Sequence, residues 1–421
     1  MEQTGVPGDD HAPDPPREGM PDDYVIRVLE HPGQVSPSDW AQLLAAEAAQ
    51  GRVPPPFVTP EYLAALHDSG SATPATGWGL QLVTLWQGPQ LVGAAAVYLK
   101  AHSYGEYVFD WAWAEAHARH GLDYYPKAVV AVPFTPVPGP RLLAVSAVAR
   151  QALMDAVLHT VQAQAVSSLH LLFAHPADVV AAQAAGLMLR HTVQFHWHNR
   201  SPQPYRDFED FLAGLSQDKR KKIRQERRKV ADAGVRFRVR EGRAIAAEDW
   251  AFFYRCYERT YWEHGNAPYL KPEFFAQLAA AQPEHWVLFV AETDRPIACS
   301  LIAINSINTC DSGQKSSENE PRVAHGRYWG ALERVDCLHF EACYYQPLAW
   351  CIANGVQRFE GGAQGEHKMA RALLPVTTTS AHWLAHPAFA EAVDRFLQRE
   401  GEGVAQHLDA LAARSPLKRT E

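Results

Sequence analysis

The sequence predicts an α/β protein with mixed sheets in which one domain has been duplicated. Its 421 residues are roughly three times the commonest domain size, so two cores are expected rather than one. Short apolar runs alternate with amphipathic helical stretches, the pattern of helices packed on sheets. Four short strings also recur in the same order. Pro60-Glu61-Tyr62-Leu63 returns as Pro272-Glu273-Phe274-Phe275, and the hairpin over 80–99 returns over 286–305. Gly105-Glu106-Tyr107 returns as Gly326-Arg327-Tyr328, and Tyr124-Tyr125 as Tyr344-Tyr345. The offset drifts from 272 − 60 = 212 to 326 − 105 = 221, and a polar stretch over 308–322 helps to explain the drift.

Taken in order, residues 1–23 are acidic and rich in Pro and Gly, and predict a disordered tail. Ser36-Pro37 opens a helix closed by Gly51, and Pro60-Glu61 opens a second. The hairpin comes next, then a strand over 107–111, a helix over 113–120 and a strand over 128–132. A long helix over 147–164, a strand over 169–173, a helix over 177–185 and a strand over 188–197 complete an N-terminal domain, 24–200. Residues 201–235 form a basic linking helix. The C-terminal domain is expected over 236–405, with 308–322 as a mobile loop and 406–421 as a tail.

Composition removes several classes. Hydrophobic residues are 47% and charged residues 20%, so most of the chain folds. The balance of 39 basic and 47 acidic side chains gives −8, which excludes a uniformly basic nucleic-acid-coating surface and makes any polyanion site local. No apolar run is long enough to span a bilayer, and the start has neither a basic nor an apolar export signal; a cytoplasmic protein without membrane insertion is expected. Six cysteines without a Cys-x-x-Cys pair read as reduced thiols. His196-Trp197-His198 puts two imidazoles on one strand face, but no third ligand occurs at a matching spacing, so no metal is expected.

The densest charge lies in 215–234. Ser216 is a natural N-cap and Gly234 a natural stop, and from Lys219 to Lys229 eight basic side chains face one glutamate, with Leu215, Ile223 and Val230 along a narrow apolar seam. Lys219, Arg220 and Arg224 either contact phosphate or RNA, or form a solvated face paired with acidic neighbours.

This segment, Ser-x-x-Lys-Arg-x-x-Ile-Arg running to Gly234-Val235, resembles the helix between the two halves of Fem-type, FemAB-like peptidyltransferases. Gly326-Arg-Tyr-Trp-Gly330, His339-Phe-Glu-Ala-Cys-Tyr-Tyr-Gln346 and Phe359-Glu-Gly-Gly-Ala-Gln-Gly-Glu-His-Lys368 are similar to a FemAB-like bacterial family associated with peptidoglycan. The resemblance covers about residues 24–400. It implies tandem GNAT-like domains, of the acyl-CoA N-acyltransferase type, and an acyl or aminoacyl group moved onto an amine. The implied donor is acyl-CoA or aminoacyl-tRNA, and the implied acceptor a small molecule or a peptidoglycan precursor. A phosphate-cradling glycine turn for CoA is matched by Arg358-Phe-Glu-Gly361-Gly-Ala363, but one strand-helix step late.

The chemistry such a transfer needs can be sought in the residues. An amine must lose its proton to a base, and the carbonyl oxygen that becomes anionic needs a donor or a cation. The glycine turn over 360–368 allows close backbone approach beside Glu360, Gln364, Glu366, His367 and Lys368. Glu366 or His367 is the expected base, and Lys368 or Arg371 the cation. On the helix over 338–353, Glu341 and Tyr345 share a face by α-helical spacing, whereas Tyr344 falls on the core side. Glu341 is a further candidate base; ion pairing to Arg327 or Arg358 is the alternative. The expected cleft is therefore lined by Glu341, Tyr345, Glu360, Gln364, Glu366, His367 and Lys368. The competing reading is a non-catalytic protein that binds RNA or a nucleotide-linked cell-wall precursor.

Overall fold

The computed structural model describes residues 24–305, 321–362 and 365–418. The expected tail 1–23 and most of the loop 308–322 lie outside the described residues. Thirteen strands are present among them: β1 (Tyr24–Leu29), β2 (Trp78–Gln87), β3 (Gln90–Lys100), β4 (Lys127–Val130), β5 (Leu143–Ala144), β6 (Ser168–Ala174), β7 (Met188–His198), β8 (Arg236–Glu241), β9 (Trp286–Glu292), β10 (Pro296–Ile304), β11 (Val323–Ala331), β12 (Arg358–Glu360) and β13 (Leu374–Leu384). The helices are α1 (Pro37–Ala49), α2 (Pro60–Asp68), α3 (Trp111–Arg119), α4 (Ala147–Gln162), α5 (Pro176–Ala184), α6 (Phe208–Ala213), α7 (Gln217–Asp232), α8 (Ala247–Glu263), α9 (Pro272–Ala281), α10 (Leu338–Phe340), α11 (Gln346–Ala353) and α12 (Pro387–Ala412).

Local chemistry accounts for many of these limits. Ser36 and Thr59 accept backbone N–H bonds at the starts of α1 and α2, each with proline in the first turn. In α7 the predicted seam is buried: Leu215, Ile223 and Val230 are at most 2% exposed. The strand expected over 107–111 is absent; Tyr107 adopts a left-handed φ of 63°, and the chain turns there toward α3.

One mixed sheet runs through the molecule in the order β1-β2-β3-β4-β6-β13-β7-β12-β11-β10-β9-β8, with β5 beside β3. The two halves repeat each other in it. β4 and β6 are parallel, as are β11 and β12, and every other pairing of the described strands is antiparallel. The duplication is thus real at the level of topology, but two self-contained sheets, which the domain limits 24–200 and 236–405 imply, are not what forms. Among the described residues β7 hydrogen-bonds only to β12 and β13, strands of the second half; β13 bonds only to β6 and β7, strands of the first. Each half lends the other its last strand.

This pairing revises the internal echoes. Pro60 and Pro272 both open the helix before the hairpin, and the hairpins correspond. Gly105-Glu106-Tyr107 lies in a loop while Gly326-Arg327-Tyr328 lies in β11; the counterpart of β11 is β4. Tyr124-Tyr125 precedes β4 whereas Tyr344-Tyr345 comes after β11, so these two echoes are not structural equivalents. The expected tail also differs: α12 continues to Ala412, Leu411 is 1% exposed, and the chain beyond it bonds to the start of α7 through Ser216 N–H to Pro416 O. Helices α1, α2, α8 and α9 cover one face with a core common to both halves, where Tyr62 meets Phe274 edge to face at 5.3 Å.

Candidate functional site

The two parallel pairs are where the sheet opens. β11 stays with β12 only from Val323 to His325, and beyond it the strands diverge around a cavity of about 270 Å³. Gly326, Arg327 and Tyr328 of β11 form one wall, and Gly361, His367 and Lys368 the other; His339 and Tyr344 close it from the helical side. In the first half, β4 and β6 diverge after Val130 and Leu171, but the chain itself fills the gap. Gly139 N–H donates to Phe173 O and Gly139 O accepts from His175 N–H, so the segment 131–140 lies alongside β6, and the adjoining cavity is about 20 Å³.

The second-half cleft gathers specific chemistry. After β12 the chain reaches Gly365 at φ 109°, where an added Cβ would strike the His367 ring at 2.5 Å, and it then enters a 3-10 turn over Glu366–Arg371. That turn presents His367 at the solvent edge, its Nε2 3.0 Å from the Tyr344 hydroxyl. Burial, with the Lys368 and Arg371 charges, holds the His367 imidazole below its ordinary pKa. Lys368 is 3% exposed, donates to Gly362 O at 3.0 Å, and is brought down to about 8 by burial. Arg327 donates to Phe134 O and the Thr135 hydroxyl of the first half, and its Nε is buried without a partner among the described residues.

Of the described residues expected here, His367 and Lys368 line the cleft, and Glu341, Tyr345, Glu360, Glu366 and Arg371 do not. Gln364 lies outside the described residues. Glu366 is more than half exposed and sits 3.5 Å from His407 and 4.0 Å from Arg414. Glu360 faces the other way, bound to His325 and Arg358. Glu341 pairs with Arg227 and Gln346, not with Arg327 or Arg358, on a groove along α7 that Arg224 also lines. Tyr345 donates to Glu226, which also takes two bonds of 2.9 Å from Arg371. Arg371 is thus an internal strut. Lys219 and Arg220 remain on the α7 surface, while Arg224 and Lys229 reach Glu209 and Asp336.

Tyr344 is the cleft residue that α-helical spacing misassigns. Residues Glu341–Tyr345 form a π-helical turn, and its extra residue rotates the helix face, so Tyr345 turns inward and Tyr344 faces His367. The paired glutamine-proline at 346–347 after two tyrosines is the only local signal of that break. Elsewhere, His31, His67 and Asp68 lie within reach of one another, but His31 Nδ1 accepts the Gly33 N–H, so its Nε2 carries the proton it gives Asp68 and has no lone pair for a metal.

Two halves on one sheet, each with a diverging parallel pair, make this a tandem GNAT-like α/β protein. The sequence matches the FemAB_like family, described as peptidoglycan biosynthesis/recognition, over residues 32–419, and the chain belongs to that family. No curated protein matches it. Among solved structures it is similar to L-PGS from Bacillus licheniformis (10% identity, TM-score 0.49, 87% of this chain and 98% of that one). It is also similar to FemX (10%, 0.45, 76% and 92%) and to a tandem GNAT protein from the clavulanic acid biosynthesis pathway (12%, 0.41, 86% and 99%). No helix among the described residues is long and apolar enough to cross a membrane.

Proposed function

We propose that the second-half cleft transfers an acyl or aminoacyl group to an amine of a peptidoglycan precursor. One observation carries the reading: a histidine, a tyrosine, a lysine and an arginine converge where the sheet opens, and the equivalent opening of the first half is filled. His367, neutral at pH 7 because its pKa is depressed, takes the ammonium proton of the acceptor. The freed lone pair attacks the donor carbonyl carbon, and the carbonyl electron pair moves to oxygen, beside Lys368 and Arg327. When that tetrahedral species collapses, the donor leaves as thiolate or ribose alkoxide and takes the proton held on His367, beside Tyr344, and the attacking nitrogen gives up its remaining extra proton to the His367 imidazole so freed, which leaves a neutral amide.

The donor is acyl-CoA or aminoacyl-tRNA. Incubating the protein with labelled acetyl-CoA or aminoacyl-tRNA and a nucleotide-linked muropeptide, and tracing label into the muropeptide, tests the assignment. Transfer from one donor that His367→Gln abolishes is the expected result. Tight muropeptide binding with no transfer from either donor would leave the recognition protein.

A further inference from the structure

A cavity of about 640 Å³ lies apart from the transfer cleft and is larger than it. It lies across the junction of the halves, walled by β7, β12 and β13 and by the start of α5, with Arg52 and Gly139 of the first half facing His325 and Arg358 of the second. Its ionisable lining is mostly nitrogen. Arg52, Arg358, His175, His196, His198 and His325 stand against Glu360, the one acid among its described lining residues. Glu360 is already committed, with His325 Nδ1 at 3.0 Å and Arg358 at 3.0 Å.

Several of these donors have nothing to bind among the described residues. Arg52 gives Nε to Glu47, yet its Nη2 is buried without a partner. Arg358 Nε is likewise buried and unpartnered. His175 Nδ1 accepts the Ala177 N–H, so the proton of this neutral ring, whose pKa burial lowers to about 4, is on Nε2. Buried polar groups left unpaired cost free energy, and those that persist in a cavity mark where a ligand supplies the missing atoms. Nitrogen donors beside two guanidinium groups call for an oxyanion.

We infer that this inter-half cavity is a second ligand site, which binds a phosphate or carboxylate group through Arg358, Arg52 and His175. It is independent of the transfer chemistry: the site needs no donor and no turnover. His198, exposed and opposite Arg358 in the strand register, forms its outer edge.

Calorimetric titration of the full chain with sodium pyrophosphate, and separately with citrate, tests this and separates phosphate from carboxylate. Saturable binding of at least one anion is expected. Arg358→Gln should weaken it roughly tenfold or more and His198→Gln by about two- to fivefold, the loss of charge-assisted and neutral hydrogen bonds respectively. Arg358 also pairs with the buried Glu360 at 3.0 Å, so this variant should melt somewhat lower, and its binding is measured well below that transition; His198→Gln, at the exposed edge, should keep its melting temperature. His367→Gln should bind as the parent does, so failure of the transfer reading leaves this result intact. Absence of saturable binding of both anions would overturn the proposal. So would affinity that survives Arg358→Gln but is lost on Lys221→Gln with Arg228→Gln, which would move the site to α7.

Discussion

The two halves carry the same opening in the sheet and use it oppositely. In the first, 131–140 fills the gap, and the charged groups near β4 are sealed beneath the loop before it: Lys127 holds Glu106 at 2.8 Å and also Asp110, Tyr124 donates to Asp110 at 2.6 Å, and Lys100 sits 3.5 Å from the Trp78 ring centre. None of Lys100, Lys127, Glu106 and Asp110 is more than 4% exposed. Burial brings Lys100 down and Glu106 up, each to about 7. In the second half the basic groups face an open cavity, and no described strand fills it. Duplication thus lets one copy become scaffold while the other keeps room for a ligand. The copies remain coupled, because the filling segment supplies the Phe134 and Thr135 oxygens that hold Arg327.

The largest test of this contrast is His367→Gln, which should lower transfer by roughly 10²- to 10⁴-fold with an unchanged melting temperature. Its mirror image is Lys127→Met. Removing that lysine strands two buried carboxylates and should cost about 3–5 kcal/mol in urea unfolding, while the fraction that remains folded keeps its kcat. Equal loss of activity in both variants would erase the distinction. The pH profile comes next. Activity that needs neutral His367 should fall only below the ordinary histidine range, since its pKa is lowered, and activity that needs cationic Lys368 should fall as pH passes about 8. Thr135→Val removes one acceptor from Arg327 and leaves Phe134 O, so a loss of roughly three- to tenfold in kcat is expected. The smallest effect belongs to Lys221→Glu with Arg228→Glu on the exposed side of α7, which should move Tm by no more than about 3 °C.

Much of this arrangement is legible in the residues. Capping serines, prolines at helix starts and the apolar seam of α7 are local signals, and they locate the helices; the two hairpins reveal the repeat. His367 and Lys368 stand out because glycines beside polar groups announce a loop that approaches something closely. The features that escape are set by distant partners. Nothing near Met188 or Leu374 says which half the strand will join. Tyr344 is hidden because a π turn breaks the spacing by which faces are read, and the seal over Lys127 is hidden because its partners are 17 and 21 residues away in a loop that reads as a strand. Glu341 and Glu366 look catalytic by type; Arg227 in one case and the solvent edge of α12 in the other account for them instead.

The exchange of β7 and β13 has a consequence for how such a chain arose and how it can be cut. A gene severed between residues 201 and 207 would yield two polypeptides, each with its final strand bereft of every neighbour it bonds in the intact molecule. Expressed singly they should be insoluble; expressed together they should copurify one to one, as an ancestral dimer of single-copy chains would have done before fusion joined them.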